Sequence, residues 1–114
     1  MAFTCSLLVE DRIAKITLTG ELDAASAGGF RDRIAEAALE NPRALVLMME
    51  NLGYMASAGL RTLIFAKQKM GAAVDIYVIG AQESVTETLE LTGFQNSVIS
   101  LPTYETATIE HARP

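Results

Sequence analysis

Ala44-Leu45-Val46-Leu47-Met48-Met49-Glu50-Asn51-Leu52-Gly53-Tyr54-Met55-Ala56-Ser57-Ala58-Gly59-Leu60 is the stretch on which the fold turns. Its first six residues are apolar at every position, as in a strand buried on both faces or with a partly covered outer face. Glu50 to Ala56 reads as a loop. From about Ser57 to Met70 the apolar residues return at helical spacing, with Leu60, Leu63, Ile64 and the stem of Lys67 on the inward stripe. A buried strand followed directly by an amphipathic helix is the repeating unit of an α/β sheet.

The same unit recurs on both sides. Upstream, residues 3–9 and 12–19 read as two strands joined by a tight turn at Glu10-Asp11, and so short a link makes them antiparallel. Gly20-Glu21-Leu22-Asp23 breaks the alternation. A helix then spans about Ser26 to Glu40, capped by Ser26 or Asp23, with Phe30, Ile34, Ala37 and Ala38 inward; Asn41-Pro42 stops it. Gly28-Gly29 lies in this helix without a phosphate-loop pattern around it, so close packing or a loose helix start explains the pair.

Downstream, Gly71 closes the second helix and Val74 to Ile79 forms a strand. A third helix over Ser84 to Leu91, with Val85 and Leu89 inward, ends at Thr92-Gly93-Phe94 as a glycine cap. Val98 to Leu101 is a short last strand, and Pro102 to His111 suits a terminal helix. The expected order is β-β-α-β-α-β-α-β-α. That is a single α/β domain over 1–114, with an antiparallel N-terminal hairpin, a largely parallel remainder and about four helices.

Composition narrows the function. The chain has 114 residues, half of them hydrophobic and a fifth charged, enough for one core. Its net charge of −5 and nine dispersed Lys and Arg residues argue against nucleic acid and a membrane surface as partners. Neither a secretory leader nor a membrane-spanning run is visible, so cytoplasmic residence is the expectation. One cysteine and one histidine cannot build a zinc site, and His111 is poorly placed for a catalytic triad. Cys5, in the alternating set Phe3, Cys5, Leu7, Val9, reads as a buried inert thiol, and Met48, Met49 and Met55 as core filler. No enzyme activity, metal or cofactor is expected, and the free protein is expected to be a monomer.

Ser57 remains. A serine at a helix start is a preferred cap, and the same hydroxyl becomes a well-placed phosphate when modified. Capping physics alone favours the ordinary cap.

Two segments shift that balance. Gly20-Glu21-Leu22-Asp23 after a strand and Tyr54-Met55-Ala56-Ser57-Ala58-Gly59-Leu60 at a helix start resemble the hallmark segments of the STAS domain. Leu89-Glu90-Leu91-Thr92-Gly93-Phe94 is similar to the family's third helix and its glycine stop. The likeness runs from about residue 3 to residue 110 and is nearest to the free-standing bacterial anti-sigma factor antagonists. It implies a protein that, when unphosphorylated, binds an anti-sigma factor with an ATPase-type fold and serine kinase activity, and so takes part in transcription regulation by partner switching. It implies Ser57 as the phosphoacceptor and a metal-dependent serine phosphatase that resets the switch. The partner would meet Gly20, Glu21, Asp23, Tyr54, Met55, Ala56, Ser57, Ala58 and Gly59. The family pattern at the acceptor is usually Asp-Ser-Ser/Thr-Gly, whereas this chain has Ala56-Ser57-Ala58-Gly59. A second reading therefore stays open: a scaffold or sensor module that binds proteins or a small ligand without being switched.

Overall fold

The computed structural model describes residues 2–110. Strands β1 (Thr4–Glu10) and β2 (Ile13–Leu22) form the expected antiparallel hairpin, and β3 (Ala44–Met55), β4 (Asp75–Ile79) and β5 (Ile99–Leu101) follow in parallel, in the spatial order β1-β2-β3-β4-β5. Helices α1 (Ala27–Leu39), α2 (Ser57–Met70) and α3 (Glu83–Thr92) are the crossovers, and α4 (Thr106–Ile109) is a single closing turn.

Each parallel step moves one place in the same direction, so right-handed crossovers put all three long helices on one face. Phe30, Ile34 and Ala37 of α1, Leu60, Leu63 and Ala66 of α2, and Val85 and Leu89 of α3 share one core with Ile16, Leu18, Leu45, Leu47, Ile76 and Val78 of the sheet. The opposite face carries a second cluster of Ile13, Ala44, Val46, Tyr77 and Ile79, closed by Ile109 and Tyr104 from the C-terminal segment. Strand β3 is thus apolar in its first half because both of its faces are covered.

Several boundaries differ from the sequence expectation. The hairpin turn is Asp11-Arg12 rather than Glu10-Asp11: both residues have positive φ (52° and 62°) and Glu10 pairs with Ile13, the two-residue geometry that matches strand twist. Strand β2 does not stop at Gly20, and Glu50 to Ala56 is mostly strand rather than loop. The two strands run on together past irregular register, pairing Thr19 with Asn51, Gly20 with Leu52, Glu21 with Tyr54 and Leu22 with Met55. Gly20 makes this possible with φ of +97°. A Cβ there would also run into the carbonyl of Ala2.

Ile64 is 41% exposed instead of inward, and its place in the stripe falls to Gly59, Thr62 and Ala66. Cys5 is half-buried because β1 is an edge strand; burial raises its thiol pKa, with Arg33 pulling the other way. Gly28 and Gly29 have open space where a Cβ would be, which removes close packing as their reason. The terminal helix is one turn, preceded by bends over 102–103, and His111 lies outside the described residues. Gly93 does cap α3 in the left-handed conformation.

Candidate functional site

The paired ends of β2 and β3 bring the two singled-out segments together. The Ala56 amide donates to the Leu22 carbonyl (2.8 Å), so Asp23 and Ser57 each lie one residue beyond that bond. At this point β2 turns into α1 and β3 into α2.

Asp23 is held by a reciprocal cap. The Ser26 amide donates to Asp23 Oδ1 (3.0 Å) while the Asp23 amide donates to Ser26 Oγ (2.9 Å), and the Ala27 amide reaches the Asp23 carbonyl (3.0 Å). This is the reciprocal pattern of a capping box, set on the turn that leads into α1, whose N-cap position is Ser26; the Asp23-x-x-Ser26 spacing carries its signal. Hydrogen bonds from the Ser26 side chain and then its amide lower the Asp23 pKa. A depressed carboxylate stabilises the fold above its unfolded value, and that contribution disappears as pH falls through the folded value. An NMR titration of the Ser26 amide should therefore show the α1 start loosening on the acid side of the ordinary carboxylate range. Asp23→Ala should abolish that transition, and an unchanged acid titration in the variant would mean that the Asp23 carboxylate does not hold the start of α1.

Ser57 is the first residue of α2 and is exposed. It is not the cap: Ala56 holds that position with extended backbone (φ −80°, ψ 173°), and no side-chain hydrogen bond caps the helix. The hydroxyl thus has no hydrogen-bond partner among the described residues and lies one place further into the helix than the sequence suggests.

Glu21, Asp23, Tyr54 and Ser57 are exposed around this junction, with Tyr54 at 49%, while Ala56 and Ala58 are half-buried. Gly20, Met55 and Gly59 are buried, so they shape the surface from below rather than offering side chains to a partner. Gly59 lets α2 sit against the sheet: a Cβ there would lie 2.7 Å from both Leu22 Cδ2 and Met55 Cγ.

Two supports have no signal in the sequence. Ser84 Oγ donates to the Gly53 carbonyl (3.0 Å), and Gln82 Nε2 to the Glu50 carbonyl (2.9 Å), tying the start of α3 to the far end of β3. Beside them Thr19, Gly20, Glu21, Asn51, Gly53 and Gln82 line an open polar hollow. Among the described residues no three His, Cys, Asp or Glu side chains converge as a metal site would require, and no helix is long and apolar enough to cross a membrane.

The STAS domain family model matches residues 5–108. The chain belongs to the STAS domain family. It is 29% identical over 85 residues to the anti-sigma-F factor antagonist RsfB of Mycobacterium tuberculosis, an alignment covering 75% of this chain and 69% of that relative. Among solved structures it resembles an anti-sigma factor antagonist from Mycobacterium paratuberculosis (TM-score 0.85, 22% identity, 96% of this chain and 93% of that one). It also resembles the anti-sigma factor antagonist SpoIIAA in two forms. For the unphosphorylated form the TM-score is 0.77 at 19% identity, over 96% and 95% of the two chains. For the phosphorylated form, from Bacillus, it is 0.70 at 19% identity, over 98% and 100%. At these identities the solved structures speak for the fold, which is the STAS arrangement of one mixed sheet and four helices.

Proposed function

We propose that this protein is an anti-sigma factor antagonist acting in the cytoplasm, and that Ser57 is the residue whose phosphorylation switches it. The observation that carries the reading is the position of the Ser57 hydroxyl: outside the N-cap position, exposed at the start of α2, and one residue past the Ala56–Leu22 bond that joins β3 to β2, as Asp23 is on the other strand. The name of the mycobacterial relative and the phosphorylated form of SpoIIAA support it.

The unphosphorylated surface, with Tyr54 as an aromatic anchor and Glu21 and Asp23 beside it, docks on an anti-sigma factor of ATPase-type fold. That partner is also the serine kinase. It transfers the γ-phosphoryl group of ATP to Ser57 Oγ, leaving ADP and the hydroxyl proton, and a metal-dependent phosphatase hydrolyses the ester. A phosphoserine adds about −1.5 to −2 charges to a junction whose other strand end carries Glu21 and Asp23. Covering that anion with an apolar or acidic partner surface is costly, and a loss of about 2–3 kcal/mol would weaken docking roughly 30- to 150-fold.

Capture from the native lysate tests this with wild type, Ser57→Ala and Ser57→Asp as baits. The alanine form should retain an ATPase-fold protein, and the aspartate form should lose it by a factor in that range. Incubation with that protein and ATP should add one phosphate to the wild type and none to Ser57→Ala. Equal capture by all three, with no mass change, would instead favour the second reading, a binding module that is not switched. Ala56 and Ala58, which replace the family's usual carboxylate and hydroxyl, are the observation on that side.

A further inference from the structure

Four of the five arginines among the described residues are engaged. Arg12 donates to the Asn41 carbonyl (3.2 Å), and Arg43 to the carbonyls of Asp11 (3.1 Å) and Glu110 (2.7 Å). Arg33 pairs with Glu36 (2.6 Å), and Arg31 lies over the Phe65 ring, 3.8 Å from its centroid. Arg61 is the exception: exposed on α2, it has no hydrogen bond, ion pair or ring contact among the described residues.

Its position gives that freedom a use. Arg61 is four residues after Ser57 in the same helix, the spacing at which side chains stand one above the other, about 5–6 Å apart at Cβ. The intervening turn offers no competing anion, since α2 has no acidic residue in its first turn and Ala56 stands where the family usually has aspartate.

We propose that Arg61 is the internal counter-ion of phosphorylated Ser57. The proposal rests on Ser57 being the phosphoacceptor. A planar guanidinium pairs with phosphate through two parallel hydrogen bonds, which a neutral serine cannot accept in that way. The side chain is therefore loose in the unphosphorylated protein and drawn toward the start of α2 by modification. Phosphorylation then does two things to the docking face: it adds an anion, and it withdraws the guanidinium from the partner. The charged groups on the neighbouring elements are Glu21 at the end of β2 and Asp23 just past it, which would oppose the phosphate, and Arg31 on α1, which lies over Phe65.

The test needs neither the kinase nor the partner. Phosphoserine is encoded genetically at position 57 in wild type, Arg61→Gln and Arg61→Lys, and the second phosphate ionisation is followed by phosphorus NMR. An arginine partner favours the dianion, so the wild-type pKa should lie about 0.2–0.4 pH units below that of Arg61→Gln. Lysine should recover part of the difference, and salt should shrink it. The thermal midpoint should also rise more on phosphorylation in the wild type than in Arg61→Gln. Coincident titration curves for wild type and Arg61→Gln would overturn the role of Arg61 and leave the acceptor reading intact. Failure of the captured kinase to modify Ser57 would remove the acceptor reading while the encoded phosphoserine still reports on the pair.

Discussion

Gly59→Val should destabilise the protein by about 3 kcal/mol, the upper part of the range for forcing extra carbons into a packed core. The added Cβ alone would lie 2.7 Å from Leu22 Cδ2 and from Met55 Cγ, both on buried side chains that have little room to retreat. Gly59→Ala introduces the same first contact but gains about 1 kcal/mol of helix propensity, so its net cost should be about 1–2 kcal/mol. Urea unfolding of the two variants measures both. The site feels the change as well. Ser57 is two residues away on the same helix turn, and lifting α2 off Leu22 moves the hydroxyl relative to Asp23. Partner capture should weaken more in the valine variant than its fraction unfolded explains. Leu22→Ala opens the space that valine needs, so the double variant should be more stable than the sum of the two single losses by at least about 1 kcal/mol. A valine variant as stable as wild type would mean that the helix approaches the sheet less closely than these distances state.

Gly59 also illustrates what could be read from the chain beforehand. Its place in the acceptor segment is visible as a resemblance, but the reason for a glycine there is not, because Leu22 lies 37 positions earlier and joins it only through the pairing of β2 with β3. The helices were legible where an apolar stripe repeats: α1, α2 and α3 fall within one or two residues of expectation. The far half of β3 was hidden because Glu50, Asn51, Gly53 and Tyr54 are exposed there, leaving only Leu52 and Met55 as inward markers. Ile64 departs from the stripe that its spacing predicts because small residues, Gly59, Thr62 and Ala66, pack on α2, and a hydropathy pattern gives them little weight. The junction of Asp23 with Ser57 was legible as two segments with no evidence of contact. Their meeting depends on a register slip that no local pattern encodes.

Phe30→Ala should be more damaging still, at about 3–5 kcal/mol, since the ring is fully buried and truncation leaves an apolar cavity that the sheet cannot fill. Against a total stability of roughly 5–15 kcal/mol for a domain, that is a large share. The helix it anchors has little intrinsic support. Two of the first three residues of α1 are glycines, each costing up to about 1 kcal/mol relative to alanine, so α1 persists through the packing of Phe30, Ile34 and Ala37. The cap on Asp23 belongs to the same helix start, which couples the core to the site: when Phe30 lets go, the Asp23–Ser26 hydrogen bonds lose their frame. Thermal unfolding should show a fall of roughly 12–20 °C in the midpoint, on the scale of about 4 °C per kcal/mol for a chain of this size. Phe30→Leu should cost far less. A repair arm separates helix formation from cavity creation. Gly28→Ala and Gly29→Ala meet no neighbouring atom and should return about 1–2 kcal/mol between them on the Phe30→Ala background. If those alanines restore nothing, α1 is not limited by its glycines and the loss belongs to the cavity alone. If Phe30→Ala unfolds near the wild-type midpoint, the ring does not hold α1 to the sheet, and the frame for Asp23 must come from Ile34 and Ala37.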